Sequence, residues 1–246
     1  MPRSKVWPKL TEWSRRFGSI YRVNLAGTEA VVLGTHKAAA DLLNRRSANY
    51  SDRPRSIVAS ELMGGGMIIG LIDTNMTWKK MRRASHETMG STAANNYRGM
   101  QEAEAYILSY QLLQTPADWD DHLQRASNSL MLSVIYGLPP RLNSLDPNIR
   151  RTNEFVSGLL TAAAPGAYLV EYFTWMKHLP RWMCPWRRFA ENYFAEYSIY
   201  FGKQIAEVEA RMKQGTQPPC VASTFIENRQ KFGMTDQEAA WAATSL

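Results

Sequence analysis

The chain has 246 residues, of which 45% are hydrophobic and 11% aromatic, enough to build a substantial core and to exclude a wholly disordered polypeptide. Its formal net charge of +7 suits an anionic partner, but the Lys and Arg residues are dispersed, so no dedicated nucleic-acid surface is expected. Cys184 and Cys220 fit buried thiols rather than a disulfide framework, and the most apolar stretch, residues 155–170, is broken by Ser157, Gly158, Pro165 and Gly166, too often for a membrane span.

In chain order, residues 7–17 form an amphipathic helix closed by Gly18. Residues 20–25 and 29–33 are β-rich and read as an antiparallel hairpin turning through Ala26, Gly27 and Thr28. Thr35 caps a helix over 36–46, followed by an extended Tyr50-Ser51-Asp52-Arg53-Pro54. Residues 56–74 carry Gly64, Gly65, Gly66 and Gly70 among apolar side chains, which predicts a mobile loop over an apolar region. Asn75 or Thr77 then caps a basic helix through Met89.

Two helical stripes follow, Ala103, Ile107, Tyr110 and Leu113, then Leu123, Ala126, Leu130, Met131, Val134 and Ile135, both read as core helices, with Asp118, Asp120 and Asp121 at the N-terminus of the second. A helix over Pro147–Ala163 ends at Pro165, a long one starts near Arg187, and a short one covers 224–231. Thr235 and Glu238 make a capping box that opens a last helix with Ala239, Trp241 and Ala242, for whose apolar side chains no later element follows; a truncated chain is the expectation.

Trp78 and Arg82 stand four apart in Trp-Lys-Lys-Met-Arg-Arg, so on a helix they share a face. An indole N–H beside a guanidinium is a donor pair for carboxylates, although the same spacing also describes an ordinary solvated basic face. Residues 172–189 interleave Tyr172, Phe173, Trp175, Trp182, Trp186 and Phe189 with Lys177, Arg181, Arg187 and Arg188 and hold no acidic residue, which suits a lipid headgroup surface or, equally, a loop whose rings plug into the core. His36, His86, His122 and His178 are scattered without zinc-site spacing, Gly65 and Gly70 lack the lysine of a phosphate loop, and no Gly-x-Ser-x-Gly elbow is present.

The order helix, hairpin, helix, YSDRP, glycine-bearing apolar stretch, WKKMRR, then MLSVIYGLPP, PGAYLVEYFTWMKHLPRW and MTDQEAAWAATSL resembles the N-terminal half of a cytochrome P450, closest to fungal membrane-bound members. The resemblance covers nearly the whole chain. It implies a mainly α fold with a small β-hairpin, a partial domain over 1–246 truncated at the start of the I helix, and a haem cofactor whose propionates Trp78 and Arg82 would bind. It further implies O2- and NADPH-dependent hydroxylation of a lipophilic small molecule, electrons from NADPH-cytochrome P450 reductase, access elements at 56–74 and 155–185, and residence on the cytoplasmic face of the endoplasmic reticulum membrane. The ExxR pair and the cysteine loop of the family are not found, and neither Cys184 nor Cys220 has that loop's flanking residues. No catalytic or metal-ligating residue is therefore assigned, and the chain alone is expected to be inert. The alternative is a non-catalytic helical module that binds a membrane or a partner helix through the same aromatic and basic surface.

Overall fold

The computed structural model describes residues 6–25 and 28–244. The chain divides into two compact units, one up to Asp52 and one from Arg53 onward.

In the first unit, α1 (Val6–Phe17) precedes the antiparallel pair β1 (Ile20–Leu25) and β2 (Thr28–Leu33), registered Ile20 to Leu33 and Val23 to Ala30. The Tyr21 hydroxyl donates to the Leu10 carbonyl at 2.9 Å, which ties the ribbon to α1. The turn residues Ala26 and Gly27 lie outside the described residues. Thr35 caps α2 (His36–Ala39) as expected, its side chain accepting from the Ala38 N–H. The expected helix over 36–46 then widens to π geometry at Ala40–Asn44, and α3 (Ser47–Tyr50) follows, so that of the expected extended run over residues 50–54 only Tyr50 is helical.

Among its described residues the second unit is built of helices joined by turns and irregular stretches. Its first element corrects the expected loop over 56–74: Ile57–Met63 is a π-helical segment whose Ile57, Val58, Ala59 and Met63 lie among the most buried side chains of the chain. The apolar residues come first and the glycines after, so the glycines end the segment instead of loosening it. Gly65 adopts φ +56° against Phe194, whose ring would lie 2.3 Å from an added Cβ, so only glycine serves both the backbone and the approach.

There follow α4 (Met76–Met89), α5 (Ser91–Ala94), α6 (Arg98–Gln114), α7 (Trp119–Tyr136), α8 (Pro147–Ala163), α9 (Pro185–Lys213), α10 (Val221–Glu227), α11 (Arg229–Phe232) and α12 (Asp236–Thr244). Helix α7 buries Ala126, Leu132, Val134 and Ile135, and ends where Gly137, at φ +67°, donates to the Ser133 carbonyl. Helix α6 is not the expected core helix: Tyr110 is 64% and Leu113 81% exposed, and the one buried side chain is Glu104. It packs on α7 through polar groups, with Glu104 accepting from Arg125 at 2.5 Å and from the Ser129 hydroxyl at 2.7 Å. The expected helix over 224–231 splits into α10 and α11, and the Cys220 thiol caps α10 by accepting from the Ser223 N–H.

Helix α12 forms where it was expected. The Thr235–Glu238 capping box forms, with the Thr235 N–H donating to Glu238 at 2.8 Å and the Glu238 N–H to the Thr235 hydroxyl at 3.1 Å. Its apolar side chains pack on elements that precede it. Trp241, 1% exposed, meets Phe155 and Phe201 edge-on, stacks on Phe194 at 5.3 Å and donates its indole N–H to the Ser198 hydroxyl. This aromatic cluster of α8, α9 and α12 is the centre of the core.

Candidate functional site

Helix α4 is set rigidly. Asn75 caps it, the carboxamide oxygen accepting from the Trp78 N–H at 2.9 Å, and Met81, Ala84, Ser85 and Thr88 form its buried side. The Ser85 hydroxyl donates to the Met81 carbonyl and Thr88 to Ala84, so the buried side carries no unsatisfied hydroxyl. Ion pairs Lys80–Glu238 and Lys231–Glu87 pin the helix to the chain after α10.

Beside that buried side, one turn apart, stand Trp78, half-buried and packed on the core, and Arg82, exposed. Both line a cleft of about 470 Å3 together with Arg53, Ile69, His86 and Met89. They also line a second, outward cleft of about 530 Å3 with Lys79, Arg83 and His86. Arg53 was not singled out in the sequence, because the YSDRP stretch reads as connection; the structure anchors it there by a bond from its Nε to the Gly70 carbonyl at 3.2 Å. Among the described residues, no carboxylate or carbonyl is bonded to the Trp78 indole N–H or the Arg82 guanidinium. An indole, two guanidiniums and an apolar wall of Ile69 and Met89 suit a flat, apolar dianion whose carboxylates meet the donors. The residues present therefore fit the carboxylate edge of a haem.

They do not supply a thiolate. Cys184 and Cys220 are buried, and the Cys220 sulfur accepts hydrogen bonds from Ser223 N and Gln217 Nε2, both at 3.3 Å. Neither cysteine lines either cleft.

Of the aromatic segment 172–189, Trp186 packs against the core, while most of the other rings face solvent. Phe173, Trp175, Trp182 and Phe189 are exposed, Trp175 by 62% and Trp182 by 76%. Its charges are less available than the sequence suggests: Lys177 bonds Glu61, while Arg181 and Arg187 both bond Glu191, at 2.7 Å and 2.9 Å. Among the described residues no helix is long and apolar enough to cross a membrane.

The cytochrome P450 family model matches residues 2–245. Cytochrome P450 monooxygenase 58 of Postia placenta is 40% identical over 240 residues, covering 98% of this chain and 46% of that protein. A cytochrome P450 monooxygenase of Armillaria gallica is 37% identical over 244 residues, 99% of this chain and 47% of its own length. A zebra fish cytochrome P450 solved with progesterone superposes with a TM-score of 0.71 over 96% of this chain and 54% of that one, at 15% identity, a likeness of fold. The chain thus spans about half the length of the curated relatives it matches.

Proposed function

Because the chain belongs to the cytochrome P450 family, we propose that it supplies the N-terminal half of a haem-dependent monooxygenase that hydroxylates a lipophilic small molecule with O2 and electrons from NADPH through a reductase. Trp78, Arg82 and Arg53 hold the haem carboxylates, and Ile69 and Met89 give the ring an apolar wall. When bound with a thiolate on its iron, haem supplies oxygen activation. The 246 residues hold no cysteine placed to give that thiolate, so the chain alone is catalytically inert. Lys79, Arg82 and Arg83 line the outward cleft beside Glu87, whose carboxylate is engaged by Lys231, and the remaining positive charge suits an acidic electron donor.

The observation that carries this reading is the shared cleft of Trp78 and Arg82. Fluorescence titration with metal-free protoporphyrin, a dicarboxylate, tests it against the dimethyl ester of the same ring. The acid should bind more tightly than the ester, and W78F with R82A should abolish the difference; equal binding of acid and ester by the unmodified chain sinks the reading.

A second reading, a non-catalytic module that binds a membrane or partner helix, is favoured by the exposed rings of residues 172–189. The two are compatible if the segment seats the enzyme on the cytoplasmic face of the endoplasmic reticulum.

A further inference from the structure

We propose that Glu238 and Lys231 are positioning residues for the carboxylate cradle. Through ion pairs with Lys80 and Glu87 they set the roll of α4 about its own axis, and with it the direction in which Trp78 and Arg82 present their donors. The proposal rests on the reading of Trp78 and Arg82 as that cradle. At 3.6 residues per turn, Lys80 and Glu87 share one flank of α4, roughly 140–180° round the helix from Trp78 and Arg82. The buried Met81, Ala84 and Thr88 lie between the two flanks, so whatever turns one flank turns the other.

The two pairs run in opposite senses. Lys80 of α4 reaches Glu238 at 3.8 Å, while Glu87 of α4 accepts from Lys231. Held at two points roughly 10 Å apart along its axis, the helix can neither slide nor roll without stretching a pair. The abutment is itself fixed. The other oxygen of Glu238 accepts the Thr235 N–H at 2.8 Å, and the Lys80 side chain crosses the turn at Gly233, its Cε 4.0 Å from where a Cβ would stand. Arg229 ties the same stretch to α9, donating to Glu209 and to Asp236, both at 2.5 Å, and Trp241 anchors α12 in the aromatic cluster. A helix with its side chains has a radius of roughly 5–6 Å, so a roll of about 20° moves a donor at its surface by about 2 Å, enough to lose a hydrogen bond. Partly exposed ion pairs add little to stability, so their loss should cost aim and not the fold.

The test titrates the full chain with metal-free protoporphyrin and with its dimethyl ester, using variants that keep the net charge. K80M/E238Q and E87Q/K231M each remove one positive and one negative group, so the general attraction for an anion is retained, and glutamine at 238 still offers the Thr235 N–H an acceptor. Each should cut the acid-over-ester preference by about fivefold, part of the roughly ten- to hundredfold that a charge-assisted bond carries. Ester affinity and the thermal midpoint should hold, and E87K/K231E, which reverses the second pair, should restore the preference lost in E87Q/K231M. A preference that survives both pair variants, or that E87K/K231E does not restore, overturns the positioning role and leaves the cradle standing. Acid and ester affinity falling together with the thermal midpoint overturns it as well, since the pairs would then serve the fold alone. If the unmodified chain does not prefer the acid, the cradle fails and the proposal falls with it.

Discussion

The Glu171 carboxylate reaches Ile57, 114 positions back in the chain, and accepts its N–H at 2.8 Å, while its other oxygen accepts the Val58 N–H at 2.9 Å. The first turn of the π-helical segment exposes N–H groups that its own backbone cannot satisfy, and a carboxylate there answers both the bonds and the local positive potential. Hydrogen bonds to charged groups contribute about 1.5–3 kcal/mol. E171A should therefore lower the urea midpoint by that order, with E171Q, which keeps an acceptor, intermediate. Equal stability of E171A and the unmodified chain would show the cap to be inconsequential.

Glu104 and Arg125 form a buried ion pair between α6 and α7, Arg125 being 2% exposed. Arg125 also donates to Gln111 at 2.7 Å and to the Arg141 carbonyl at 2.7 Å. Removing one member leaves the other charged and desolvated, which costs roughly 3–5 kcal/mol. E104L and R125M should each approach that loss, and the double variant should lose much less than their sum. Additive losses in a double-mutant cycle would show that the two charges act independently.

The capping box at Thr235, the cap at Thr35, the cap of α4 to within Asn75 or Thr77, and the helix Pro147–Ala163 were legible because each is a local contest between a side chain and its neighbouring backbone. What was not legible depends on partners distant in sequence. Glycines at 64–66 suggested a loop, yet Ile57–Met63 is held by Glu171 and covered by α8 and α9. The stripe of α6 suggested a core helix, but its packing on α7 is decided by Glu104 meeting Arg125, a pair separated by 21 residues. At the site, Trp78 and Arg82 could be paired from their spacing alone; Arg53 could not, since only the fold brings it to the same cleft.

Arg53 should act with Arg82 on anionic porphyrin. A charge-assisted bond of about 1.5–3 kcal/mol corresponds to roughly ten- to hundredfold in affinity. R53A and R82A should each weaken protoporphyrin binding within that range, and raising salt should narrow the difference from the unmodified chain. Titration in which R53A binds as the unmodified chain does would remove Arg53 from the cradle.

Partial burial pushes the Glu61 carboxyl up, but bonds from Arg55 and Lys177, with their charges, outweigh it and hold it below its usual value. A carboxylate depressed in the folded state contributes stability above its unfolded pKa, about 4.3, and that contribution is lost as pH falls through the folded value. The Lys177 bond joins residues 174–178 to the π-helical segment, so acidification should loosen that junction. Exchange of the backbone amides of residues 174–178, corrected for the intrinsic pH dependence, should rise below about pH 4. E61Q should show the raised exchange already at neutral pH; an identical pH profile in E61Q would place the switch elsewhere.

The last expectation follows from the pairing of the charges in 172–189. With Lys177, Arg181 and Arg187 engaged by Glu61 and Glu191, and only Arg188 of the segment's Lys and Arg side chains outside an ion pair among the described residues, adhesion to a bilayer should come mainly from the exposed rings. Flotation with zwitterionic vesicles should therefore succeed almost as well as with anionic ones and vary little with salt. Full burial of a large apolar side chain is worth about 1.5–3 kcal/mol, so W182A or W175A should reduce partitioning by roughly tenfold or more. Neither should shift the thermal midpoint appreciably, because both rings already face solvent. Binding that required anionic lipid and vanished at moderate salt would instead mean that the Glu61 and Glu191 pairs open at the membrane and release their cations to the headgroups.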